Sequence, residues 1–217
     1  NPYTFWKMPV SKEDGKIKYL DEDQLQRIIN HDCHCIERLE RVRDQFIFSC
    51  CTGLRISDVQ KLMVKEIRQN EHGEYYLNTI QKKTKRPVYI PLFDLAVEIY
   101  HKYRETPEAE ITGRLFARRA ESNTNAYLQE IAVLCKIDIP LHFHVARHTC
   151  ATFLLSNGVR LEVVKEIMGH RSIKSTEIYA RLLKSKLHEE IRNVKFRALK
   201  KKPEDKGEDG EGEGSEG

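Results

Sequence analysis

Apolar side chains recur at intervals of three and four residues along most of the chain, which is the pattern of amphipathic α-helices. Asp21 stands where a helix N-cap is expected, and Gly53 follows a long helical run in the position of a C-cap glycine. The pattern predicts helices that begin near residues 22 and 57 and that span about 36–52, 92–104, 121–135, 144–156, 161–168 and 184–199.

A shorter period interrupts the helical pattern in the middle of the chain. Three short runs, at 64–67, 75–80 and 87–90, are typical of strands, and polar turn residues at 70–73 and 82–86 separate them. We therefore predict an α+β fold that is mostly α-helical, with one small three-stranded antiparallel sheet.

Composition divides the chain into three parts. Residues 1–19 hold two prolines and mixed polarity, which suggests an extended lead-in, and residues 20–200 form the predicted domain. Residues 201–217 are rich in glycine and acidic side chains, and such a tail is expected to be disordered. Because the chain begins with Asn1 rather than Met, we expect a processed product or a fragment.

Charge changes this picture once the tail is considered separately. From Pro203 onward there are seven acidic residues and one lysine, so this tail carries a net charge of −6. Because the whole chain carries +4, residues 1–202 carry +10. A basic body indicates a polyanionic partner such as nucleic acid. No apolar run approaches the roughly 20 residues of a membrane span, and the cysteines are typical of a reduced, cytoplasmic protein.

Candidate chemistry begins with an arginine and a group of lysines. Arg55 follows the helix-ending glycine in Thr-Gly-Leu-Arg-Ile-Ser-Asp, where it can meet a phosphate, although a solvated turn is the commoner role. The basic turn between the last two predicted strands has three possible interpretations: a solvated hairpin, a contact to phosphate, or a lysine that donates a proton to a leaving alkoxide. No metal site is predicted, since Cys33-His34-Cys35 lacks the second ligand pair that structural zinc requires.

Two further patterns lie in the C-terminal half. In His144-Val145-Ala146-Arg147-His148, the first histidine and the arginine stand at i and i+3 and therefore share a helix face. This spacing is compatible with a polar site and also with an ordinary surface face. Gly169-His170 then precedes Tyr179 by nine positions, and a tyrosine is more often a packing residue than a nucleophile. Each pattern alone is ambiguous.

The order of these patterns resembles the tyrosine recombinase (phage-integrase-like) family over about residues 20–195. The family's order is an arginine, a lysine on a β-hairpin, His-x-x-Arg, a Gly-His pair and a tyrosine. In this sequence the matching residues are Arg55, Lys83, His144, Arg147, His170 and Tyr179. Lys82 and Lys85 are alternatives for the lysine, but Lys83 fits the family's turn best. The family's helical core-binding domain, which usually comes first, is expected to be absent from this chain.

The resemblance implies that the Tyr179 hydroxyl attacks a DNA phosphorus and forms a 3′-phosphotyrosyl bond with release of a 5′-hydroxyl. Arg55 and Arg147 would clamp the phosphate, and His170 would donate to one of its oxygens. Lys83 would protonate the leaving oxygen, and His144 would take the tyrosine proton or hold the phosphate. Asp58 is expected to orient Arg55 and a neighbouring histidine. Further backbone contacts to DNA are expected from Lys82, Lys85, Arg86, Arg171 and Lys174.

The implied reaction needs no cofactor, because the phosphotyrosyl bond conserves the energy of the phosphodiester and several cations replace a metal. The expected partner is double-stranded DNA, and the expected location is the cytoplasm, at the nucleoid. Integration or excision of a mobile element is the expected role. A type IB topoisomerase and a binding-only module with co-opted catalytic residues are the alternatives.

A C-terminal apolar stripe bears on assembly. It recurs at helical spacing beyond the tyrosine, at Leu182, Leu183, Leu187, Ile191 and Val194. By resemblance, this segment would pass to a neighbouring protomer in a synaptic tetramer on DNA, while the free protein is a monomer. The alternative is that the stripe packs on its own domain.

Overall fold

The computed structural model describes residues 17–33 and 36–193, with side chains to residue 184. In chain order the helices are α1 Glu22–Asn30, α2 Glu37–Thr52, α3 Ile56–Val59, α4 Asp94–Tyr103, α5 Pro107–Thr112, α6 Glu121–Leu134, α7 Phe143–Ser156, α8 Leu161–Met168 and α9 Lys174–Asn193. The strands are β1 Ile67–Gln69, β2 Tyr75–Ile80 and β3 Pro87–Pro91, and they form one antiparallel sheet in this order. The predicted fold class is therefore confirmed.

Helix α2 forms the centre of the domain. It packs against α1, α4, α6 and α7, and almost every residue of its second half is buried. Phe46 meets Phe143 of α7 edge to face, and Phe48 meets Phe116 in the same way. Gly53 ends the helix with a φ of 67°, the left-handed conformation that glycine adopts without steric cost. This end of α2 is where the polar site lies.

A second, smaller apolar cluster joins the last three helices. Cys150 and Leu154 of α7, Val164 and Met168 of α8, and Tyr179 of α9 are its main buried members. The cluster holds the tyrosine against the same end of α2, because Met168 also lies beside Gly53.

Several predicted boundaries were wrong for identifiable reasons. Residues 64–66 form a 3-10 turn instead of a strand, because the Glu66 carboxylate accepts a hydrogen bond from the Met63 amide at 2.7 Å and closes the turn. The helix predicted from Leu92 begins at Asp94, since the Leu92 amide extends the sheet ladder to the Tyr75 carbonyl.

Two helices were misjudged more strongly. Helix α5 was not predicted, although Thr106-Pro107 is an N-cap followed by proline at the first helical position. The last helix begins at Lys174 rather than near residue 184, so Tyr179 lies on it. Residues 194–199 of that prediction, most of the lead-in and the acidic tail lie outside the described residues. Within the described ranges, no helix is both long and apolar enough to cross a bilayer.

Candidate active site

Two arginines from distant parts of the sequence define the site. Arg55 is the residue before α3, and its Nη1 donates to Gln81 Oε1 at 2.7 Å. Arg147 is 2% exposed and donates through Nη1 to the Gly53 carbonyl and through Nη2 to the Met168 carbonyl, both at 2.5 Å. These carbonyls belong to the C-terminal ends of α2 and α8, where helix dipoles favour a cation. The guanidinium is thus held by backbone groups that no side-chain substitution removes.

Burial and the neighbouring Arg55 cation lower the pKa of Arg147 to about 10. The group therefore remains charged at neutral pH. Two of its five N–H donors are used by the carbonyls, and no other acceptor for this guanidinium lies among the described residues, so the remaining donors can meet an anion. The pair of guanidiniums makes this site strongly attractive to a phosphate.

Gln81 connects the two arginines and is the first functional residue that the sequence analysis missed. It is fully buried at the base of the β2–β3 turn. Its Oε1 accepts from Arg55, while its Nε2 donates at 3.0 Å to the Met168 carbonyl that also receives Arg147. A glutamine beside a lysine run carries no local signal of burial, because its partners come from distant segments.

Tyr179 contacts a histidine other than the one expected. Its hydroxyl lies 2.9 Å from Nδ1 of His148, and its side chain is 2% exposed. Burial raises the pKa of Tyr179, whereas the Arg147 and Arg55 cations oppose that rise. His148 directly follows Arg147 but is not among the predicted site residues. Its position one turn after His144 on α7 was the signal in the sequence that could have identified it.

The two predicted histidines lie on either side of this pair. The His144 side chain is exposed, and its ring contacts the His148 ring edge to face at 4.4 Å. His170 Nδ1 lies 2.9 Å from the Thr176 hydroxyl. Burial, Arg147 and Arg55 lower the pKa of His170 to about 4, so its ring is neutral at neutral pH.

Electrostatic coupling shows that the six predicted catalytic residues share one region. His144 is open to solvent on one side, and the partial burial of its ring, followed by the Arg147, Arg55 and Lys83 cations, lowers its pKa. Arg147 in turn responds to Arg55 and Tyr179. The structure therefore brings together side chains that are spread over more than half of the sequence.

The β2–β3 turn carries the candidate lysines, which are all exposed at positions 82, 83 and 85. The Lys82 amide donates to Asp58 Oδ1 at 2.8 Å. Among the described residues, this is the hydrogen bond of the Asp58 side chain, which was predicted to contact Arg55 or a histidine instead. Its Oδ2 is buried without a hydrogen-bond partner among the described residues. Asp58 thus positions the turn.

The other predicted DNA contacts cluster around this turn. Arg86 is half-buried and donates to the His170 carbonyl at 2.8 Å, and Arg171 donates to the Thr84 carbonyl at 3.3 Å. Lys174 is exposed at the first turn of α9. Arg86 therefore has a structural partner, and contact of these side chains with DNA stays a prediction.

This fold is that of a tyrosine recombinase catalytic domain, as the comparisons show. A solved structure of the catalytic domain of bacteriophage HP1 integrase matches with a TM-score of 0.56 and 22% identity, over 82% of this chain and 96% of that one. A structure of XerH site-specific recombinase, bound to a palindromic difH substrate in a post-cleavage complex, matches with a TM-score of 0.63 and 19% identity, over 82% of this chain and 53% of that one.

Residues 18–186 match the model of the phage integrase family, and the chain belongs to that family. Tyrosine recombinase XerA of Saccharolobus solfataricus is 27% identical over 198 residues, which are 90% of this chain and 63% of the relative. The chain thus spans less than two thirds of that protein. The predicted family is confirmed.

Proposed function

We propose that this chain is the catalytic part of a site-specific DNA recombinase that cleaves and rejoins strands through a covalent bond to Tyr179. The observation that carries the proposal is the convergence of Arg55, Arg147 and His148 on the region of this hydroxyl. A phenol near two fixed guanidiniums is suited to attack a phosphodiester, since the cations stabilise the charge of the five-coordinate transition state.

The strand-cleavage step divides into attack, charge stabilisation and departure. Tyr179 bonds to phosphorus at the 3′ side, and the 5′-oxygen leaves. Arg55 and Arg147 hold the non-bridging oxygens through their free N–H groups, and loss of either should slow cleavage by about 10²-fold or more. His170 adds a neutral donor, because Nε2 remains available when Nδ1 binds Thr176.

Lys83 is the proposed donor of a proton to the leaving 5′-oxygen. Its ammonium is exposed on the β2–β3 turn, and it acts electrostatically on His144 at the site. Rejoining is the reverse reaction with a 5′-hydroxyl of a second strand. The phosphotyrosyl bond conserves the energy of the original linkage, so the proposed cycle uses no nucleotide cofactor.

Integration or excision of a mobile element is the proposed biological role, supported by the phage integrase family match. The DNA-bound state is proposed to be a synaptic tetramer in which the C-terminal part of α9 docks on a neighbouring protomer. Deletion after Ser185 should then leave a folded, DNA-binding monomer that no longer synapses. Unfolding of the truncated protein would assign the helix to the protomer's own core.

The covalent intermediate is the direct test. The substrate is a duplex with a nick close to the cleavage position and randomised sequence around the nick. After cleavage the short fragment that carries the 5′-hydroxyl diffuses away, so the strand cannot be rejoined and the protein stays covalently bound to the DNA. Adducts that survive denaturing detergent are recovered and sequenced, and this also identifies the target site. Tyr179→Phe should abolish the adduct, whereas Tyr127→Phe, at a half-buried position stacked by Arg38 and Arg119, should retain it.

The same assay separates the alternatives. A binding-only module gives no adduct in any variant. A type IB topoisomerase gives an adduct but relaxes supercoiled plasmid instead of joining two target sites. An adduct that persists in Tyr179→Phe would assign the nucleophile to another residue.

A further inference from the structure

The cleavage step described above leaves open which group takes the Tyr179 proton, and His148 is hydrogen-bonded to that hydroxyl. His148 follows Arg147 on α7, and its Nδ1 lies 2.9 Å from the phenolic oxygen. The two rings pack at 5.5 Å between centroids; Tyr179 is buried and His148 is half-buried. His144, which the motif order suggests as the proton acceptor, contacts the other ring of this pair rather than the tyrosine.

The direction of this hydrogen bond follows from the acidity of the two groups. A phenol, with an ordinary pKa of about 10, is a much stronger acid than the N–H of a neutral imidazole, so the tyrosine is the better donor. Burial, and then His144 and Arg147, lower the pKa of His148 to about 4. The ring is therefore neutral at neutral pH, with its proton on Nε2 and a lone pair on Nδ1 toward Tyr179.

We propose that His148 is a catalytic residue that accepts the Tyr179 proton through Nδ1 as the phenolic oxygen attacks DNA. This inference rests on the proposed recombinase function and adds the fate of the proton. The O–H bond of the tyrosine breaks and its oxygen bonds to phosphorus, while the proton forms imidazolium on His148. The bond from phosphorus to the 5′-oxygen breaks, and Lys83 supplies the proton to that oxygen. On rejoining, both protons return.

The low basicity of His148 in the free protein is compatible with this role. Two of the causes that lower its pKa are the adjacent His144 and Arg147. A DNA phosphate bound by Arg55 and Arg147 adds negative charge at the same place, and the phosphorane adds more. Both charges favour imidazolium, so the ring becomes a better base when the substrate is present.

The test uses a substitution that keeps the hydrogen-bond acceptor and removes the basicity. In His148→Asn the amide oxygen can occupy the place of Nδ1 without taking a proton. The substrates are the nicked duplexes that form adducts with the wild-type protein. On these duplexes we expect His148→Asn to form the adduct about 10²-fold or more slowly, since this is the usual contribution of a general base. His142→Asn, at an exposed position that precedes α7, is the matched control and should react at the wild-type rate.

Rescue distinguishes proton transfer from simple positioning. A ring-fluorinated tyrosine at position 179 is more acidic and needs less help from a base, so it should recover about tenfold or more of the rate lost in His148→Asn. A wild-type rate in His148→Asn, or an absence of rescue in a variant that melts normally, would overturn the proposal.

A second measurement does not depend on cleavage. Nitrogen NMR of the free protein should show His148 protonated on Nε2 and unprotonated on Nδ1, with a changed Nδ1 shift in Tyr179→Phe. The opposite tautomer would refute the proposed hydrogen-bond direction. Failure of the wild-type protein to form any adduct would instead refute the recombinase proposal, so the two failures are distinguishable.

Discussion

Replacement of Gly169 by alanine perturbs the contact that joins α8 to both arginines. Gly169 ends α8 with φ 58° and ψ 37°, in the left-handed region. A Cβ built there lies 2.6 Å from Gln81 Oε1 and 2.7 Å from its Cδ and Nε2, so the buried glutamine must move. Gln81 is the residue that accepts from Arg55 and donates to the Met168 carbonyl.

The expected cost has two parts. The left-handed backbone costs a residue with a Cβ about 1–2 kcal/mol. Displacement of Gln81 removes a charged hydrogen bond to Arg55, worth about 1.5–3 kcal/mol, and a neutral one to Met168, worth about 0.5–1.5 kcal/mol. Because Arg55 is partly exposed, we use the lower limit of each of these three ranges. We therefore expect Gly169→Ala to lower the free energy of unfolding by about 3 kcal/mol or more.

Gly158 provides a matched control for this measurement. It has φ 79°, and nothing lies within 4 Å of its added Cβ, so Gly158→Ala should cost only the backbone part. In urea denaturation the two variants should differ by about 2 kcal/mol or more. Equal losses would refute the assignment of Gly169 to the Gln81 contact. In a Gln81→Ala background, Gly169→Ala should cost no more than Gly158→Ala.

Three further predictions concern the site and its partner. A substrate with sulfur as the 5′ leaving atom should rescue cleavage by Lys83→Ala, because a thiolate leaves without a proton; rescue of Lys85→Ala instead would move the role along the turn. The pKa of His170 is lowered from its ordinary 6.5 to about 4 in the folded protein, so between these pH values the unfolded chain binds more protons. The free energy of unfolding should therefore fall as the pH is lowered from 6.5 to about 4, and it should fall less in His170→Asn. DNA binding by this chain should be weak with a shallow salt dependence, measured by anisotropy, because we expect one face of a single domain to neutralise few phosphates. Nanomolar affinity at physiological salt would contradict this.

Local signals in the sequence determined most helices and two of the three strands. The run at residues 161–168 has helical spacing and a glycine after it, and α8 occupies those residues. The run at residues 75–80 alternates between turn residues, and β2 occupies it. These predictions held because backbone preferences and amphipathic periods act within a few residues. The ordered motif residues, from Arg55 to Tyr179, identified the family for a similar reason, since their identities do not depend on seeing their contacts.

The tertiary structure decided which of these side chains meet and through which neighbours. Arg147 is held by a carbonyl 94 positions away, and Gln81 bonds to another across 87 positions. The partner of Tyr179 is His148 rather than His144, although the two histidines are one helical turn apart. Spacing along a helix defines a face, but burial and the approach of α9 select the ring within reach of the phenol. Such contacts depend on how distant segments pack, and no local pattern in the chain records that packing.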